Sequence, residues 1–240
     1  MGWNIRLIRI FMKRKLFILS FLFFPFNVYS NDSCILEAIN EMLVNTLPNN
    51  TWILGRSSVL VEKNKDNDFY EWRNLQDNDL STCWAEGKED SGINEYFLIP
   101  FSRRDGVGFS YRKALRSKNI ECHIKIYNGN CASIESFKKN NRIKNCRIQI
   151  FDTPIVYGQE KSYVEANPLL IYDSLIELKD TMELQEFDLP LKLRNDYVTS
   201  SPLLVLKITI ADIYPGTDYD NTCISEIKVY GEYVSDSVSN

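Results

Sequence analysis

The segment Asp212-Ile213-Tyr214-Pro215-Gly216-Thr217-Asp218-Tyr219-Asp220-Asn221-Thr222-Cys223-Ile224-Ser225-Glu226-Ile227 decides how this chain closes. Its Pro-Gly and Asp-Asn steps are turn chemistry, and they deliver one carboxylate, Glu226, onto a strand near the C-terminus. A second acidic turn, Asp77-Asn78-Asp79-Leu80-Ser81-Thr82, lies far upstream. The pair points to a closed β-sandwich whose beginning and end meet at one polar corner.

Period-two patterning supports an all-β fold. Ile120, Cys122, Ile124 and Ile126 alternate with polar residues, as do Cys146, Ile148 and Ile150. Leu204, Leu206, Ile208 and Ile210 form a third such run, and Ile227 with Val229 a fourth. Each reads as an antiparallel strand with one packed and one wet face. Turn-rich loops separate them at 63–68, 87–94, 103–108 and 157–162. Helical spacing occurs once, over 34–47, where Ile35, Ile39, Met42 and Leu43 share a face. Asp32 or Ser33 is its expected cap, and Pro48 ends it.

The first thirty residues read as a secretory signal peptide. Lys13-Arg14-Lys15 is its basic region, Leu16–Phe26 its apolar run, and Ser30 its cleavage point. The eleven residues before Met12 leave the true start open between Met1 and Met12. The apolar run is short of the ~20 residues of a spanning helix, so no transmembrane segment is expected after cleavage. The expected organisation is therefore signal peptide 1–30, short helical segment 31–52, sandwich domain 53–234 and flexible tail 235–240. The location is secreted, periplasmic or cell-envelope.

Loss of the leader leaves 23 of the 28 Lys+Arg against 32 Asp+Glu, a net of −9. Such a surface repels phosphate backbones and argues against a nucleic-acid partner. Six cysteines in a secreted chain suit disulfides. Cys83 and Cys223 each adjoin one half of the acidic corner and are the pair expected to bond if the halves converge. Cys122 and Cys146 fall on inward strand faces, as a core disulfide or as two thiols. The single histidine, His123, lies on an outward face with no nucleophile motif to serve, which argues against triad chemistry.

The run Asn74-Leu75-Gln76-Asp77-Asn78-Asp79-Leu80-Ser81-Thr82-Cys83-Trp84 is similar to the N-x-x-D-G-D-x-x-T-x-W signature of discoidin-like, galactose-binding-like domains. More narrowly, the chain resembles the NADase-type glycan-binding domain of bacterial proteins. Four blocks in order carry this: Trp84–Gly87 with Ser91–Glu95, Ile126–Asn130, Lys139–Lys144, and Ile213–Thr217 through Ser225–Ile227. The resemblance implies an eight-stranded jelly-roll-like sandwich and a secreted, non-catalytic glycan-binding module. It also implies a structural calcium ion held by Asp77, Asp79, Thr82 and Glu226, a set of hard oxygens that suits that ion. Asn78 replaces the glycine of the signature, and Asn is the next residue most tolerant of a left-handed turn. The Asn130-Cys131 step departs from the family's aromatic and basic residues.

Sugars are held by aromatic faces and planar polar groups. The expected contacts are Tyr127, Asn128, Asn141, Arg142, Tyr214 and Tyr219, all at strand ends or turns, with Trp84 in the core. The partner expected is a glycan on a cell surface or glycoprotein. Two other classes stay open: an adhesin-like envelope or protein-binding domain using the same loops, and a glycosidase built on Glu86 and Glu95.

Overall fold

The computed structural model describes residues 29–44 and 55–234, except 68, 115 and 160. Most of the expected leader and the whole of the 235–240 tail lie outside the described residues. Ten strands follow the N-terminal helix: β1 (Gly55–Arg56), β2 (Trp84–Ala85), β3 (Tyr96–Phe101), β4 (Asn119–Asn128), β5 (Asn141–Val156), β6 (Tyr163–Val164), β7 (Leu169–Glu177), β8 (Gln185–Lys192), β9 (Ser201–Tyr214) and β10 (Thr222–Tyr233). That is two more than the family likeness implies; three of the ten, β1, β2 and β6, are two-residue ladders, and seven are longer.

Two leaves share one core. The first runs β1–β3–β9–β5, with β6 and β7 on the free side of β5, and the second runs β2–β10–β4–β8. A two-residue parallel contact, Thr222 with Asn141 and Cys223 with Arg142, joins them. The alternating residues of both leaves face each other: Ile120, Cys122, Ile124 and Ile126 from β4 meet Cys146, Ile148 and Ile150 from β5 in one buried cluster. Trp84 is fully buried there, in edge contact with Phe97 at 5.5 Å. The result is the all-β, discoidin-like sandwich that the patterning and the motif pointed to.

The helix α1 (Tyr29–Val44) starts one turn earlier than its periodicity indicates. Asp32 and Ser33, the expected caps, therefore lie within its span and not ahead of it. Ile35, Ala38 and Ile39 are buried, together with Leu98, Phe151, Ile155, Leu203 and Val205 of β3, β5 and β9. The helix thus covers the outer face of the first leaf. This corrects the wet-face reading of β9, where Leu203 through Ile208 are all buried. Two short helices, α2 (Tyr111–Ala114) and α3 (Ile134–Lys139), decorate the connections around β4. Ser133 caps α3 by accepting from the Ser136 N–H at 3.0 Å, a stabilising helix-start bond.

Candidate functional site

The two acidic stretches do meet. Asn78 takes the left-handed conformation at φ 62° and turns its N–H to Glu226 Oε2 at 2.9 Å, across 148 residues of sequence. Within the turn, Asp77 Oδ1 accepts from the Asp79 N–H at 2.8 Å, and Asp79 Oδ1 accepts from the Ser81 N–H and hydroxyl. The Thr82 hydroxyl donates to Asp77 Oδ2 at 2.7 Å. Burial, opposed by the Asn78 N–H and aided by the charges of Asp77 and Asp79, pushes the Glu226 carboxyl up to about 7. Its second oxygen, Oε1, is buried with no hydrogen-bond partner.

Those oxygens fit a hard cation in kind, and the orphaned Oε1 is the atom one would satisfy. The turn carboxylates, however, already accept from the N–H and hydroxyl groups of their own turn. Among the described residues no three acidic, cysteine or histidine side chains form a ready metal cluster.

Cys83 and Cys223 pack together as buried thiols with Ala85, beside the corner. The neighbouring Cys83 thiol, and then burial, hold Cys223 far above the ordinary thiol range. Cys122 and Cys146 are thiols in the main core, and burial pushes Cys146 up to about 12. His123 is partly covered: its ring leans on Tyr230 and its Nδ1 lies 2.6 Å from Asp188 Oδ1.

The six expected sugar contacts separate into two kinds. Asn128 is fully buried, its amide donating to the Ile143 carbonyl and accepting from the Ile143 N–H, as a strand neighbour does. Asn141 donates to the Asp220 carbonyl and accepts from the Gly216 N–H, so it holds the 215–221 loop in place. Arg142 forks onto Asp180 at 3.0 and 2.8 Å and donates to the carbonyls of Asn140 and Pro215. Tyr214 donates its hydroxyl to the Leu178 carbonyl, and Tyr127 sits in register opposite Glu226 on β4. These five side chains lie outside the open cleft, four of them bonded within the fold. Only Tyr219, half exposed at 51 %, faces an open cleft.

That cleft encloses about 620 Å³ between three segments: 60–83, 130–140 and 219–221. Its aromatic surfaces are Phe69, Tyr70 and Tyr219, and the amides of Asn74, Asn130, Asn140 and Asn221 line it. The charges of Glu62 and Glu135 are matched in number by those of Lys65 and Lys139. Lys139 is bound to Glu135 at 2.6 Å, and Lys65 lies over the Phe69 ring at 3.8 Å. Burial and then the Glu62 charge raise the Tyr70 phenol above its usual range. Ser81 and Thr82 of the acidic turn form part of the same wall. The aromatic pair Phe69-Tyr70 and the amide set escaped sequence reading. Their one visible signal is two adjacent rings at the edge of a turn-rich stretch.

Glu86 and Glu95 are both buried away from this cleft. Glu86 accepts from the Lys88 and Thr222 N–H groups, while Glu95 is bonded to Lys88 and Ser57. Burial raises the first; the Lys88 and Ser57 bonds win over burial and lower the second. Both act as internal anchors for the 86–95 loop.

The profile of the NAD glycohydrolase translocation F5/8 type C domain matches residues 49–230. The chain belongs to that family. No curated protein matches it. Among solved structures it is similar to arabinofuranosyltransferase AftD from Mycobacteria, at 10 % identity and TM-score 0.36 over 72 % of this chain and 10 % of that one. It is also similar to truncated AlyQ with CBM32 and alginate lyase domains, at 12 % identity and TM-score 0.32 over 76 % and 34 %. The CBM32 of AlyQ in complex with 4,5-unsaturated mannuronic acid is similar at 13 % identity and TM-score 0.29, over 73 % and 98 %. This chain thus spans a tenth of AftD and about a third of the two-domain AlyQ.

Proposed function

We propose that this F5/8 type C domain is a glycan-binding module without catalysis, and that the cleft between residues 60–83, 130–140 and 219–221 is where the sugar sits. One observation carries the reading. Half-exposed rings, Phe69 and Tyr219, share a concave, charge-balanced site with amide side chains whose internal bonds leave one end of each to a ligand. Rings stack on the C–H faces of a pyranose, and planar amides pair with its hydroxyls. The match of two acids with two lysines favours an uncharged sugar. Binding on a glycan array, lost in Tyr219→Ala and kept in Tyr127→Ala, supports this; an unchanged profile in Tyr219→Ala rejects the cleft.

The same reading includes a structural calcium ion at the corner, held by Glu226 Oε1 with the Asp77 and Asp79 carboxylates, Thr82 orienting Asp77. Calcium would neutralise the clustered charge and tie β10 to the turn that walls the cleft. A rise in Tm on calcium addition that disappears in Glu226→Gln supports it. Equal Tm with calcium and with chelator excludes it. The module acts outside the cytoplasm, secreted or in the envelope, with the leader removed near Ser30, a cut that leaves Ile35 and Ile39 in place.

An adhesin-like, protein-binding role is the second reading. Among the described residues the strand β7 pairs only with β5, and it exposes Leu169, Leu170 and Leu175, an open edge of the kind that accepts another strand. Capture of a protein that free sugars do not displace, lost when Leu175 is changed to Lys, favours this role.

A further inference from the structure

The surface changes character over residues 103–118. Six cations, Arg103, Arg104, Arg112, Lys113, Arg116 and Lys118, stand there against a single acid, Asp105, in a chain where acids outnumber bases 32 to 28. The segment wraps the far end of β10: the Gly231 N–H donates to the Ser102 carbonyl at 2.9 Å, and the Tyr233 hydroxyl to the Ser110 carbonyl at 3.2 Å. Between them lies a groove of about 470 Å³, walled by the cations Arg103, Arg104 and Lys113, the acids Asp105 and Glu232, and Tyr233.

Its charges do not cancel. Arg103 is held by Asp105 at 2.5 Å, but Arg104 stands 3.6 Å from Glu232 with side chains 70 % and 46 % exposed, a pair of little strength. Lys113 faces the Tyr233 ring at 6.0 Å and, among the described residues, has no acid within ion-pair distance. Arg112 and Arg116 are exposed on the same segment. The glycan cleft adjoins the start of β10 and this groove its end. Nine residues of strand separate Cys223 from Glu232, roughly 30 Å, so the two sites are distinct.

We propose that this groove is a second binding site, for a sulfate, phosphate or carboxylate group carried on an acidic oligosaccharide. Arg104 and Lys113 take the anion, Arg103 stays paired with Asp105 beside them, and the Tyr233 ring offers a face to the sugar. A guanidinium fork and an ammonium suit such oxyanions, as a neutral amide-lined cleft does not. A lipid headgroup presents the same anion, but a bilayer also asks for apolar contact. On this segment Val107 is exposed whereas Phe109 and Ala114 are buried. A long polyanion meets the acidic remainder of the surface. A short oligosaccharide stays inside the patch, whose field reaches about one Debye length, ~8–10 Å.

The test is titration of the natively processed protein with a sulfated heparin tetrasaccharide and with its desulfated counterpart. The sulfated form is expected to bind, at least tenfold more weakly in the doubly substituted Arg104→Glu, Lys113→Glu protein and in 0.5 M salt (~3 Å Debye length at 1 M). The desulfated form is expected not to bind. Tyr219→Ala is expected to leave this affinity unchanged, which separates the groove from the glycan cleft. Both charge reversals are on exposed side chains, and an unaltered Tm confirms that the variant is folded. Equal affinity in the folded double variant overturns the proposal. So does binding to phosphatidylglycerol vesicles without binding to the tetrasaccharide, or equal binding of a DNA oligonucleotide of the same charge.

Discussion

Single side chains show why a residue type that suits sugar binding is not thereby a sugar contact. Arg142 has the chemistry of a ligand hook, yet four internal hydrogen bonds and the face of Phe137 at 5.1 Å occupy it. Arg142→Ala is therefore expected to lower stability by about 2–3 kcal/mol, short of the ~3–5 of a fully buried pair because Asp180 is partly hydrated. Denaturant titration measures this. Tyr219→Ala is expected to stay within about 0.5 kcal/mol of the parent, as an exposed side chain does. Buried Asp152 gives a pH signature. Burial raises its carboxyl despite bonds from the Tyr197 hydroxyl and the Arg194 N–H, with Arg194 and Asp196 as its charged neighbours. A carboxyl raised on folding stabilises most below its unfolded value, and that contribution fades as pH rises through the folded one. Stability from this group thus increases on acidification from neutral pH. In Asp152→Asn the slope of Tm against pH is expected to flatten there; an identical slope contradicts the assignment.

Elements follow the same logic one level up. The α1 helix is amphipathic because the outer face of β3, β9 and β5 is apolar, and neither surface is stable in water alone. Ile39→Ala removes buried volume from that contact and is expected to cost about 2–5 kcal/mol, read by thermal or chemical unfolding. Where the strand β2 meets β10, Cys83 and Cys223 are neighbouring thiols, and oxidation to a disulfide outside the cytoplasm would close a loop of well over a hundred residues. The expected gain is about 4 kcal/mol, seen as a fall in Tm with reductant that Cys83→Ser abolishes. Peptide mapping of the non-reduced protein that pairs Cys83 elsewhere refutes it.

For the whole molecule, β10 links the acidic corner and cleft at its start to the basic groove at its end. Sites so far apart with no shared partner act additively. A Tyr219→Ala, Lys113→Glu double variant is expected to show the two single binding losses and no coupling; a coupling above ~0.5 kcal/mol indicates one continuous site.

Sequence alone determined the sandwich, the convergence of Asp77–Thr82 with Glu226, the left-handed Asn78 and the burial of Trp84. Period-two burial gives the sandwich, and the resemblance to the discoidin-like signature implies the other three. Tertiary structure alone decided which of the candidate residues are spent inside the fold and which stay open. Asn128, Asn141 and Arg142 lie in the same polar blocks as Tyr219, and only the partners brought from Ile143, Gly216 and Asp180 consume their hydrogen bonds. Phe69 and Asn140 become cleft neighbours only once three distant loops converge. The unbroken apolar run Pro202–Leu206 already signals burial of both faces of β9, but only the tertiary structure shows that α1 is what covers the outer one. Patterning reports how a residue sits on its own element; a site is defined by what other elements bring to it.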